Sequence, residues 1–70
     1  MKNLKVDYKN DGKKLTTYLT GVFPKLSINA VYKALRKKDI KLNGKRINDN
    51  VEVFEDDEIQ VFISDDILLG

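Results

Sequence analysis

Ile40-Lys41-Leu42-Asn43-Gly44-Lys45-Arg46-Ile47 decides the fold of this 70-residue chain. Apolar and polar residues alternate on both sides of Asn43-Gly44. An Asn-Gly pair between alternating runs marks a tight hairpin, because both central residues of a type I′ turn need positive φ. The octapeptide therefore predicts two short antiparallel strands, 40–42 and 45–47. Upstream, Ile28, Val31, Tyr32 and Leu35 recur at i, i+3, i+4 and i+7, the stripe of an amphipathic helix. Ser27 stands where a hydroxyl caps the first turn. Lys33, Arg36 and Lys37 fall on the other side of that helix. Downstream, Glu55-Asp56-Asp57 reads as an acidic turn, preceded by Val51, Val53 and Phe54. Glu58-Ile59-Gln60-Val61-Phe62-Ile63 then alternates as the best strand of the chain, with Ile59, Val61 and Ile63 facing the core.

Further out the periods repeat. Leu4-Lys5-Val6-Asp7-Tyr8 alternates as a strand and Asn10-Asp11-Gly12 marks a turn. From Lys13 the spacing of Leu15, Tyr18 or Leu19, and Val22 predicts a helix, with Asp11 or Gly12 placed to cap it and Pro24 to end it. Its threonines, 16, 17 and 20, are mediocre helix formers, so it depends on tertiary packing. Asp65-Asp66 closes the domain. Ile67-Leu68-Leu69-Gly70 reads either as a linker to something further on or as a tail folded back on the sheet.

The fold class implied is α+β, two helices packed on a small, mostly antiparallel sheet, with one domain over residues 1–66 and a tail at 67–70. One modest core is the ceiling at this size. No stretch approaches the roughly 18 apolar residues of a membrane span, and residues 1–3 lack an apolar signal core; the expectation is a soluble, cytoplasmic monomer without membrane partners.

The chain holds neither cysteine nor histidine. Disulfides, the usual zinc sites, Ser-His and Cys-His nucleophile pairs and histidine acid–base chemistry are thereby set aside. The glycines at 12, 21, 44 and 70 stand singly, so no phosphate loop is present. Asp56-Asp57-Glu58 lacks the alternate-ligand spacing of a calcium loop. No cofactor and no catalytic residue is expected within this chain. The charge, by contrast, is sorted. Residues 13–46 carry +9, residues 49–66 carry −8 and the first twelve carry +1, which leaves the net +2. A dipolar domain of this kind offers a polyanion one attractive face; mutual pairing of the two halves is the alternative.

Four pieces in order, Lys14-Leu15-Thr16-Thr17-Tyr18-Leu19, Ser27-Ile28, Ile40-Lys41-Leu42-Asn43-Gly44-Lys45 and Asp56-Asp57-Glu58-Ile59-Gln60-Val61, resemble the S-four RNA-binding domain over residues 14–63. The run from Val31 to Lys41 and the strand and turn at the start resemble, within it, the N-terminal domain of large-subunit rRNA-type pseudouridine synthases. The resemblance implies the alpha-L RNA-binding motif and RNA, in particular rRNA, as partner. It also implies that catalysis by the parent isomerase belongs to a separate domain with an Arg-Leu-Asp motif, which this chain lacks. The residues it points to, together with the basic run, are Lys14, Lys33, Arg36, Lys37, Lys38, Lys41, Asn43, Lys45 and Arg46. The chain departs from the family in having Lys14 for Arg, Thr16 for Asp, Ile28 and Ala30 for basic residues, and Lys38 or Asp39 for Gly. Its basic weight has moved to the end of the second helix. Tyr32 stands open between core and base stacking, with the apolar stripe favouring the core; Tyr8 and Tyr18 are open in the same way. A protein-interaction module, docking this basic face on an acidic partner or on the enzyme's own catalytic domain, is the competing reading.

Overall fold

The structure, a computed structural model, describes residues 2–69; Met1, Gly70 and the side chain of Leu69 lie outside the described part. The Asn-Gly hairpin forms as its residues require. Asn43 takes φ 52° and Gly44 φ 84°, and the turn joins β2 (Ile40–Leu42) to β3 (Lys45–Ile47), with Ile40 opposite Ile47 and Lys41 opposite Arg46. β2 pairs on its other side with β4 (Glu58–Val61), which in turn pairs with β1 (Lys2–Lys5). The sheet order is β1-β4-β2-β3 and every pairing is antiparallel. Two helices, α1 (Leu15–Val22) and α2 (Ile28–Arg36), pack on one face of this sheet, giving an α+β domain.

Alternation explains which strand residues meet the helices. Ile40 and Val61 are opposite one another, as are Leu42 and Ile59. Ile40, Ile59 and Val61 are fully buried with Leu15, Leu19, Val31 and Leu35 of the helices. Their neighbours Lys41, Gln60 and Arg46 point away from the helices because successive side chains of a strand take opposite faces. β4 regularises only to Val61, two residues short of the expected end, yet Ile63 keeps the inward phase and is buried.

Three local expectations are corrected. The first strand covers Lys2–Lys5 rather than Leu4–Tyr8. Beyond Lys5 the backbone turns to bond with the acidic turn, Val6 N–H donating to Asp57 C=O at 2.9 Å and Asp56 N–H to Val6 C=O at 2.8 Å. Val6 is buried there, whereas Tyr8 enters a 3-10 turn (Tyr8–Asn10) that swings it out to 70% exposure. Tyr18 is buried.

The cap of α1 is not Asp11 or Gly12. The chain enters at Lys14 without a side-chain cap of its own, and the orphan N–H of Thr16 donates to Asn50 Oδ1 at 3.1 Å. Val51 C=O accepts from Leu15 N–H. Asp11 instead accepts from Glu55 N–H at 2.7 Å, and Gly12, at φ 82°, donates to Val53 C=O. A segment from the acidic half thus closes the first turn of a helix more than thirty residues upstream.

The third correction concerns α2. Ser27 caps it as expected, its Oγ accepting from Ala30 N–H at 3.1 Å. The buried stripe, however, is Val31, Ala34 and Leu35, while Ile28 (51%) and Tyr32 (43%) are exposed. The helix is rolled so that the small Ala34 faces the sheet and the phenol of Tyr32 stays in water. Tyr32 is therefore not a core residue.

The C-terminal stretch folds back. Asp65–Leu69 form a short helix, α3, and Leu68 is 1% exposed in the core with Ile63. The packed domain accordingly runs past the boundary drawn at Asp66. Among the described residues no helix is long and apolar enough to cross a membrane.

Candidate nucleic-acid interface

The site begins at the end of α2. Lys38 N–H donates to Leu35 C=O and Asp39 N–H to Ala34 C=O, the paired bonds of a Schellman stop. That stop needs a left-handed residue, and the position holds Lys38 at φ 59° where glycine is usual. The reversal aims the Lys38 carbonyl at the hairpin, and Arg46 of β3 donates to it from Nη1 at 2.7 Å. One arginine thereby locks the helix end to the sheet edge.

Phe62 completes the arrangement. It follows β4 directly, its N–H donating to Asp39 C=O at 2.8 Å. The Arg46 guanidinium stands 5.4 Å and the Lys41 ammonium 5.6 Å from the centre of its ring. Each such contact is worth about 0.5–1 kcal/mol at an exposed site, enough to bias two long side chains without removing them from solvent. Lys33 and Lys37 line a groove that Phe62 also lines. On a helix of about 100° per residue, Arg36 lies about 60° round from Lys33 and so extends the same solvent face.

The nine residues expected from the sequence divide accordingly. Lys33, Lys37, Lys38, Lys41 and Arg46 are gathered round Phe62 and the α2–β2 reversal, with Arg36 beside them on α2. Lys45 is exposed on the hairpin but pairs with Leu42, so it alternates to the face opposite Arg46. Lys14 is at the entry of α1, its backbone in an isolated antiparallel β-bridge with that of Glu52. Asn43 is spent on the fold. Its Oδ1 accepts from Glu58 N–H at 2.9 Å, its Nδ2 donates to Asp57 at 3.0 Å and its own N–H to Glu58 C=O at 2.7 Å. These bonds tie the hairpin tip to the acidic turn.

Phe62 was missed by sequence reasoning. Its signal was there: in an alternating strand it occupies the outward phase, and an outward aromatic beside two cross-strand cations is a platform rather than core. The acids, meanwhile, serve the backbone. Asp57 accepts from Asn43 and from Phe54 N–H, Asp11 from Glu55 N–H and Asp7 from Asn10.

No protein-family model matches the sequence, and no curated protein is significantly similar to it.

Proposed function

We propose that this chain is an RNA-binding module of the S-four type, serving as the rRNA-recognition part of a pseudouridine synthase. The observation that carries the reading is that Lys41 of β2 and Arg46 of β3 meet on Phe62, with Arg46 also tied to the Lys38 carbonyl at the end of α2, where Lys33 and Lys37 line the adjoining groove. Cations gathered at one helix–hairpin junction repel one another, and a polyanion relieves that repulsion. Lysines and arginines there neutralise phosphates and release counterions, which gives affinity that falls steeply with salt and discriminates little by sequence. RNA rather than DNA is favoured by the four-piece resemblance, now joined by the helix–helix–hairpin architecture those pieces require. Structured RNA is read largely through shape and backbone, and a rigid two-element platform suits that mode. In this reading the isomerase chemistry belongs to the parent enzyme's other domain, and this module supplies grip and placement.

The test is charge reversal on the platform. Arg36→Glu with Lys37→Glu, both on exposed helix surface, weakens binding to an rRNA hairpin at least tenfold and lowers the salt slope by about 2. The thermal melt stays within about 1 kcal/mol of the parent. RNA affinity unchanged by the double reversal overturns the proposal. Absence of any RNA binding at low salt overturns it as well, and turns the same face over to an acidic protein partner.

A further inference from the structure

The face of the sheet turned away from α1 and α2 carries a row of its own. Arg46 is opposite Lys41, Lys41 opposite Gln60 and Gln60 opposite Asn3, one side chain from each of the four strands. Each alternates with residues packed toward the helices, Ile47, Ile40, Ile59 with Val61, and Leu4, so the four stand together on the other side. At the β2–β3 end of the row lies the Phe62 ring, beside Lys41 and Arg46. Phe62 follows the buried Val61 and so takes the same outward face. Asn3 and Arg46 are exposed and Lys41, Gln60 and Phe62 only partly covered, so solvent reaches the whole row. The next row, Glu58 opposite Lys5, carries opposite charges, which leaves the cations at the Phe62 end to set the field.

Each part of the row matches one part of a nucleotide. An aromatic ring and a guanidinium plane stack on a base whatever its identity. Lysine and arginine neutralise its phosphate. The amides of Gln60 and Asn3 offer both donor and acceptor, as base edges do. Such a surface suits unpaired nucleotides, because in a stem both faces of a base are stacked and its pairing edge is occupied. An acidic peptide would use the cations but leave the ring and the amides idle. We infer that this face receives a single-stranded RNA segment flanking the bound stem. One base stacks against Phe62 and Arg46, its phosphate sits at Lys41, and the next base lies over Gln60 and Asn3. This rests on the RNA-binding reading and deepens it: α2 holds the stem, and the sheet holds the strand that leaves it.

The experiment uses the 70-residue chain and two RNA hairpins with the same stem, one blunt and one carrying a single-stranded oligouridine tail. The tailed hairpin is expected to bind about tenfold tighter, the scale of one base stacked on an aromatic ring. The chain holds no tryptophan, so Phe62→Trp reports on this face alone while keeping a ring for Lys41 and Arg46. Its fluorescence is expected to be quenched strongly by the tailed hairpin and little by the blunt one. Asn3→Glu sets a carboxylate at the far, exposed end of the row, three strands from Arg46. It is expected to remove most of the tail's advantage while affinity for the blunt hairpin persists. Equal affinity for the two hairpins, no difference in quenching between them, or an advantage that survives Asn3→Glu overturns the sheet-face inference and leaves the phosphate platform standing. Failure to bind either hairpin overturns both.

Discussion

Lys38 is the residue at which stability and the proposed function pull apart. Among the described residues three non-glycines hold positive φ, and two of them, Asn43 and Asp56, are types that tolerate it. Lysine is not, and the left-handed region costs an ordinary L-residue about 1–2 kcal/mol. Strain kept at a site is a pointer to use, and here the strained residue carries a charge to the platform and a carbonyl to Arg46. Lys38→Gly is therefore expected to stabilise the domain by about 1 kcal/mol, raising the melting temperature by roughly 4–8 °C. The same change weakens RNA binding by one cation; a calorimetric melt beside a binding titration checks both, and loss of stability would refute the strain. Asn50 makes a different case. Asn50→Ala removes the oxygen that caps Thr16 N–H, with an expected cost of about 1 kcal/mol in a denaturant melt. Caps such as Ser27 are legible in sequence because donor and acceptor are three residues apart. The Asn50 cap spans 34 positions, and no local pattern contains it. Tyr18 adds a pH signature. Burial, with the Asp7 carboxylate adding to it, pushes its phenol above the ordinary tyrosine value of 10.0. Below that value both folded and unfolded chains keep the proton and this contribution is fully present. As pH climbs from there through the raised folded value, the unfolded chain ionises first and stability falls. Tyr18→Phe removes that share of the loss, seen by comparing melts of the two proteins at about pH 9 and about pH 11.

At the level of elements, the hairpin and β4 were readable because a strand's period is two and each of their residues has only two faces to choose between. A helix leaves more freedom. The apolar residues of α2 span Ile28 to Leu35 on both flanks of its inner face, and which flank is covered depends on how α1 and the sheet receive it. Packing chose Ala34 over Ile28 and Tyr32, an outcome that periodicity alone does not rank. The C-terminal helix shows the same limit. Ile67-Leu68-Leu69 fits a linker and a packed turn equally well as a string; the structure inserts Leu68 into the core and leaves Ile67 on the groove wall. Asp65 and Asp66 in the first turn of α3 suit the positive end of the helix dipole. Leu68→Ala should therefore cost about 2–5 kcal/mol, a large part of what a domain of this size possesses. A change under about 0.5 kcal/mol, the range of ordinary surface substitutions, would show α3 undocked. Between elements, Arg46→Lys separates charge from geometry. It keeps a cation but loses the planar fork that reaches the Lys38 carbonyl and lies over Phe62, so stability falls modestly while the salt slope holds.

Across the whole molecule the sorting of charge along the chain becomes a sorting in space. The acidic turn precedes Glu58 at one end of β4, and Phe62 with its cations follows the other end, about 13 Å away at strand rise. That separation exceeds the Debye length of about 10 Å at 0.1 M salt, so the turn's carboxylates do little to cancel the platform in solution. The net charge of +2 understates the field an approaching polyanion meets. Composition disclosed the two charged halves; it took the fold to bring Lys33, Lys37, Lys41 and Arg46 to one junction and to divert Asn43 into the acidic turn. The measurement that bears most directly on this account is the salt dependence of binding to an rRNA hairpin between about 50 and 200 mM monovalent salt. With Lys33, Arg36, Lys37, Lys41 and Arg46 on phosphates, the slope of log K against log salt is expected near −3.5 to −4.5, at roughly 0.7 to 0.9 per contact; Lys45, on the other face of the hairpin, is not counted. A slope near zero, or no detectable binding at the lowest salt, would contradict it.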